Sequence, residues 1–226
     1  FRNVGKHQEK YETERSFEMT AETILSKLKK MYTATFDLEE NSDCAGRQVN
    51  LYGHFNVDNS RYVLSKKATL WEANCQEHLF VQAVRSEAMT DGRLPAVEAG
   101  HAECEENPEM KKEAEQEAET ELDLFRLQEL DKWLREKAEP YFVRKGEEYP
   151  PKNHMYTYLT VVLITDKKIN DDVKRFAKKY KFERTYKWNL RGYMQTRLVL
   201  VSTADNVVIT NGSGKVLEKT YQTLVG

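Results

Sequence analysis

Residues 156–182, YTYLTVVLITDKKINDDVKRFAKKYKF, read as strand, turn and helix, and the rest of the chain must pack around them. Leu159, Val161, Val162, Leu163 and Ile164 form an apolar run far shorter than the roughly 20 residues a bilayer span needs. A short run without polar alternation predicts a strand covered on both faces, at the centre of the core. Asn170 is placed to cap a helix whose first turn carries Asp171 and Asp172, the sign of charge favoured at the positive end of the helix dipole. Ile169, Val173, Phe176, Ala177 and Tyr180 recur at helical spacing, with Lys174, Arg175, Lys178 and Lys179 on the other side. The spacing predicts one face for the sheet and a basic face for water or a partner.

The composition, 39% hydrophobic and 32% charged with a mean hydropathy of -0.76, predicts a soluble globular protein with a polar surface or some disordered length. A net charge of -2 argues against a generic polyanion binder, but it averages an acidic middle segment with a basic later one. Cys44, Cys75 and Cys104 are odd in number and widely spaced, which predicts free thiols and a reducing, cytoplasmic setting. No signal peptide is visible at the start, and no membrane association is expected.

Outward from the central stretch, 1–18 read as a flexible arm and 19–226 as one α+β domain with a loop and acidic helix inserted at about 86–150. Thr20 caps a first helix with Ile24, Leu25, Leu28, Met31 and Tyr32 as its apolar stripe. Phe36 and Leu38 start a strand, and Asn41 to Gly46 is turn-like. Val49 to Val57 alternates, with Val49, Leu51, Phe55 and Val57 inward and Asn50, Tyr52, His54 and Asn56 outward. Asp58-Asn59-Ser60 predicts a turn, with further strands through Tyr62 and Leu64, Ala68 to Ala73 and His78 to Val84. A long loop, Ser86 to Pro108, and a glutamate-rich helix from Glu109 follow. That helix turns apolar at Leu122 and is expected to stop at Pro140. Later, Phe182 to Leu190 and Tyr193 to Thr203 read as paired strands and Val207 to Thr210 as a shorter one. Val216, Leu217, Tyr221 and Leu224 fit either a final helix or a strand. The fold class is α+β: a mixed, mainly antiparallel sheet with a buried central strand, packed helices and a charged helical insertion.

Few motifs carry chemistry. Cys75-x-x-His78 and His101-x-x-Cys104 have zinc-like spacing, but positions three apart on a strand face opposite sides, so no metal site is assigned. His101-Ala102-Glu103 lacks the later Pro-Cys-x-x-Cys of a zinc deaminase. Gly212-Ser213-Gly214-Lys215 lacks the first glycine and the final hydroxyl residue of a phosphate loop and reads as a turn. No nucleophile elbow, catalytic residue or cofactor signature is found.

The remaining candidate is basic and aromatic: Lys174, Arg175, Lys178, Lys179, Lys181, Arg184, Lys187, Trp188 and Arg191, with Tyr180, Tyr186 and Tyr193 among them and Arg197 beyond. Cations neutralise phosphates and exposed rings stack on unpaired bases, which is what single-strand binding needs. A solvated helix face and core aromatics are the plainer reading, and the acidic stretch Glu103 to Glu121 is a possible internal counterweight.

The order helix, antiparallel strands, helix, buried strand, helix, strand resembles the core of the restriction-endonuclease-like fold, with Thr160 to Tyr186 matching its later strand-helix-strand part. That resemblance implies a metal-dependent nuclease with an Asp and an E-x-K triple. Here Leu79 to Val84 offers Gln82 and Val84 at that spacing, without the lysine. Met31-Tyr32, Leu51-Tyr52, Arg61-Tyr62-Val63-Leu64-Ser65-Lys66-Lys67-Ala68, Leu70-Trp71-Glu72, Val161-Val162-Leu163-Ile164-Thr165 and Val208-Ile209-Thr210-Asn211 are similar to uncharacterised bacterial proteins of unknown function. The leading expectation is a non-catalytic binding or interaction module whose partner is nucleic acid or another protein. The alternatives are the nuclease-like enzyme and a homo-oligomer joined through the acidic helix.

Overall fold

The computed structural model describes residues 19–62, 69–84 and 122–226. In chain order these form α1 (Ala21–Tyr32), β1 (Asp37–Asp43), β2 (Gln48–Tyr62), β3 (Thr69–Val84) and α2 (Leu124–Trp133), which continues as a π-helix (Leu134–Val143). Then come β4 (His154–Thr165), α3 (Asp171–Lys179), β5 (Glu183–Thr185), β6 (Tyr193–Ser202), β7 (Val207–Thr210), a 3-10 turn (Ser213–Leu217) and α4 (Glu218–Val225). The arm 1–18, the loop 86–108 and the acidic stretch 103–121 lie outside the described residues.

The fold is α+β. Its seven-stranded mixed sheet runs β1-β2-β3-β4-β6, with β5 and β7 both pairing β6. β1, β2 and β3 form an antiparallel meander, while β4 is parallel to both β3 and β6. As the unbroken apolar run predicts, β4 is buried on both faces. Leu159, Val161 and Leu163 pack with α2, the π-helix and α3, and Val162 and Ile164 with α1 and α4. Each such side chain taken from water contributes about 1.5–3 kcal/mol.

The caps form where the sequence places them. Thr20 Oγ1 accepts from the Thr23 N–H at 3.2 Å and Asn170 Oδ1 from the Val173 N–H at 2.9 Å. α1 is tied to α4 by Lys27 Nζ, which donates to the Leu224 carbonyl at 2.8 Å, and by the Tyr32 and Tyr221 hydroxyls, 2.9 Å apart.

Several local expectations are corrected. Asp58, Asn59 and Ser60 do not turn the chain; they stay in β2, opposite Asn74, Ala73 and Glu72 of β3. The two strands expected over 68–84 are one, because a continuous ladder outweighs local turn preference. β1 likewise runs through Asn41 to Asp43, and the turn follows at Cys44 to Arg47. Pro140 does not stop the helix. From Leu134 the winding widens to a π-helix, with the Arg144 N–H donating to the Glu139 carbonyl, so the α-helical ladder that a proline would interrupt is already abandoned. Phe182 to Leu190 pairs only over Glu183 to Thr185, and the C-terminal segment is helical.

Tyr52 and His54 are not on a wet face either. Tyr52 packs on Phe80 and on Phe142 of the π-helix, its hydroxyl lies 2.8 Å from His78 Nδ1, and His54 stacks on His78 at 4.7 Å. Alternation in the sequence marks two faces, but here helices cover both.

At the sheet edge, β5 and β7 leave a gap on β6 that the buried Asn211 fills. Its Oδ1 accepts from the Leu198 and Gly214 N–H groups, both at 2.9 Å. Its Nδ2 donates to the carbonyls of Thr196 at 2.9 Å and Tyr180 at 3.2 Å. One side chain thus completes the ladder and joins it to the end of α3.

Asn211→Ala strands four buried backbone groups, each worth about 1–3 kcal/mol when unpaired, so a loss of about 3 kcal/mol or more in urea unfolding is expected. A loss under 1 kcal/mol would count against this role. The histidines predict acid lability. Burial, followed by His54 and Lys145, pushes His78 down to about 3, and burial also lowers His54 and His154. Below about pH 6.5 the unfolded chain binds protons that the native rings refuse. Stability is therefore full above that pH and falls as pH drops towards 3, by about 1.4 kcal/mol per unit for His78, with His54 and His154 adding in the same direction. Urea midpoints measured between pH 7.5 and 4.5 check this, and His78→Phe should flatten the profile.

Candidate functional site

The site is built on the connection between β5 and β6, Tyr186 to Gly192. Lys187, Trp188 and Asn189 have φ of +46°, +56° and +67°, a left-handed succession that costs roughly 1–2 kcal/mol per residue for L-amino acids. The closing hydrogen bonds run from the Leu190 N–H to the Lys187 carbonyl at 2.9 Å and from the Arg191 N–H to the Tyr186 carbonyl at 3.1 Å. Gly192, at φ +69°, admits no side chain: a Cβ there would meet the Met155 carbonyl oxygen at 2.1 Å.

Buried polar groups on neighbouring elements hold this turn. Glu139 of the π-helix is fully buried, and its carboxylate accepts from Arg144 Nε at 3.0 and 3.1 Å, Arg184 Nη1 at 3.3 Å and the Tyr186 hydroxyl at 2.5 Å. Burial, and then the bond to Glu139, raises the Tyr186 pKa, so the phenol stays a donor. His154 Nδ1 lies 2.7 Å from the Arg191 carbonyl, which can only accept, so Nδ1 carries the proton and Nε2 accepts from the Thr157 hydroxyl at 2.9 Å. Arg191 Nη1 donates to the Pro150 carbonyl at 2.9 Å, and Lys187 Nζ sits 4.3 Å over the Tyr149 ring. The outcome is a rigidly based knuckle whose tip projects: Trp188 is 97% exposed and Leu190 79%.

The nine residues singled out by sequence fall into two groups. Arg184, Lys187, Trp188 and Arg191 belong to the knuckle and its base. Lys174, Arg175, Lys178, Lys179 and Lys181 belong to α3 and its end. Lys174 pairs with Asp171 at 3.3 Å, Arg175 with Asp172, and Lys181 with Glu183 at 2.7 Å. These are surface pairs, weakened by solvent and by salt. Lys178 and Lys179 are exposed. Between 166 and 191 there are ten Lys or Arg against four Asp or Glu, so the local surface stays cationic.

Four aromatic or cationic neighbours, Tyr180, Tyr186, Tyr193 and Arg197, are corrected. Tyr180 and Tyr186 are buried, with the Tyr180 hydroxyl donating to Asp131 at 2.9 Å, so neither offers a face to a ligand. Arg197 lies on the opposite sheet face, paired with Glu77 at 3.1 Å and 3.5 Å from the Tyr158 ring centroid. It heads a cluster that sequence reading missed: Thr160 donates to Glu77 at 2.5 Å, and Tyr158 and Tyr156 line up with Tyr193. The signal was present in the alternation Tyr156, Tyr158, Thr160 before the apolar run.

Cys75 and His78 are both buried on β3, and His78 faces the Tyr52 hydroxyl. His101 and Cys104 lie outside the described residues, and among the described residues no three His, Cys, Asp or Glu are grouped to hold a metal. Gly212 to Lys215 leads into the 3-10 turn Ser213–Leu217 after β7, with Lys215 paired to Glu218. No helix among the described residues is long and apolar enough to cross a membrane.

A sequence family described as a domain of unknown function, DUF8052, matches residues 20–113 and 115–223. The chain belongs to that family. No curated protein and no solved structure matches it. In this DUF8052 domain the matched residues include both α3 and the knuckle.

Removing the buried carboxylate strands two guanidinium groups and a phenol, so Glu139→Ala is expected to cost about 3–5 kcal/mol in urea unfolding. Tyr186→Phe removes one partner only and should cost about 1–2 kcal/mol. Equal, small losses in both variants would show that the network does not hold the turn.

Proposed function

We propose that this protein is a non-catalytic binding protein of the bacterial cytoplasm that engages single-stranded nucleic acid through the knuckle and the basic face of α3. The observation that carries the reading is Trp188. An indole left almost wholly in water, on a turn that costs conformational energy to hold, is poor economy for folding and good preparation for a contact. Phosphates would meet Lys178, Lys179 and, after exchange of their surface pairs, Lys174, Arg175 and Lys181. A base would stack on Trp188, with Lys187 and Arg191 alongside. Stacking tolerates any base, so weak sequence preference and steep salt dependence are expected.

Fluorescence titration with an unstructured oligonucleotide at 50 and 200 mM salt tests this. Trp188→Ala should weaken binding by about 1–3 kcal/mol, and the double variant Lys178→Glu, Lys179→Glu should also reduce the salt slope. Binding that survives both changes, or no binding at low salt, rules the reading out.

One observation favours a second reading, a nuclease-like enzyme. The order α1, three antiparallel strands, α2 and a parallel β4 is the one that resembles the restriction-endonuclease-like core. Glu77, an acidic side chain of β3, is however held by Arg197 and Thr160. Cleavage of the oligonucleotide by magnesium, abolished by chelator, would replace the first reading with this one.

A further inference from the structure

A cleft of about 340 Å³ lies against the C-terminal ends of β3 and β4, bounded by Val84, Leu163 and the first turns of α2. Ligands of open sheets with parallel strands commonly sit beyond those strand ends. The polar lining is unusual in its balance. Arg47 Nε and Nη2 both donate to Gln82 Oε1, at 3.1 and 2.8 Å, and the guanidinium lies 5.6 Å over the Trp133 ring, so it is oriented before any ligand arrives. Arg126, on α2, is close enough to act on Arg47 as a second positive charge, and it has no ionic partner among the described residues. Glu129, one helical turn on, is the one carboxylate among the lining residues.

The donors left unused are Arg47 Nη1, the Arg126 guanidinium and the Gln82 amide nitrogen. Guanidinium groups match the oxygens of a phosphate with paired hydrogen bonds, and Glu129 can accept from a neighbouring hydroxyl. Arg47 and Arg126 line the same cleft and repel; Glu129 acts on Arg47 with the opposite sign, and an anion drawn in beside the two cations relieves the repulsion that remains. We propose that this cleft binds a small organic phosphate that also carries a hydroxyl group, with Arg47 and Arg126 on the phosphate and Glu129 on the hydroxyl. The site is independent of the knuckle: none of its residues belongs to α3 or to the β5–β6 connection.

Calorimetric titration at constant ionic strength with glycerol 3-phosphate, inorganic phosphate and glycerol tests the proposal. Glycerol 3-phosphate should saturate a single site, inorganic phosphate should bind more weakly, and glycerol should not bind. Arg126→Gln should weaken glycerol 3-phosphate at least about tenfold, the scale of one lost charge-assisted hydrogen bond, while the urea midpoint stays put because the side chain makes no described bond. Glu129→Gln should bring glycerol 3-phosphate down to the affinity of inorganic phosphate, and Lys178→Glu should leave the titration unchanged. Failure of both phosphates to saturate, or an Arg126→Gln variant that binds as tightly as the parent, overturns the proposal.

Discussion

β4 is hydrogen-bonded in parallel to a strand on each side and covered by side chains above and below, and the arrangement of the described helices follows from that. Two parallel partners require two crossover connections, one from β3 to β4 and one from β4 to β6. Both crossovers step in the same direction across the sheet, and right-handed connections that do so must lie on the same face. α2 with its π-helical extension and α3 accordingly share one apolar cluster, leaving α1 and α4 to cover the other.

This layering also decides where polar groups can stand. Above the covered centre the sheet carries aliphatic side chains, and towards the start of β4 and β6 it carries Tyr156, Tyr158, Tyr193, Glu77 and Arg197. On the other face the π-helix brings Glu139 and Phe142 down onto the same end. Glu139 gathers Arg144, Arg184 and Tyr186, while Phe142 closes over Tyr52 and His78. A wider helical turn than the α-helix is thus tied to the sheet at both a charged and an aromatic point. The left-handed turn bearing Trp188 grows directly from that anchored base.

The two edges of the sheet are treated differently. β1, DLEENSD, presents Asp37, Glu39, Glu40 and Asp43 along an edge that no described strand pairs, and such charge discourages pairing with another strand. The opposite edge is closed by β5, β7 and the side chain of Asn211. Acidic edge and basic α3 lie on opposite flanks, so the small net charge of -2 conceals a strongly uneven distribution.

Sequence alone determined the features whose causes are local. These are the double-sided burial of Leu159 to Ile164, the caps at Thr20 and Asn170, the helical face of Val173, Ala177 and Tyr180, and the basic face opposite them. Each depends on residues within a turn or two of one another, so periodicity records it. Tertiary structure decided the rest. A ladder from Leu51 to Tyr62 overrode the turn preference of Asp58-Asn59-Ser60, and the π-helix carried the chain past Pro140. Packing removed Tyr180, Tyr186 and Arg197 from the basic surface, the tyrosines by burial and Arg197 by its place on the other sheet face, while Trp188 was left in water. Whether a given aromatic or cation faces solvent or a partner side chain depends on elements far away in the chain, and no local spacing encodes that distance.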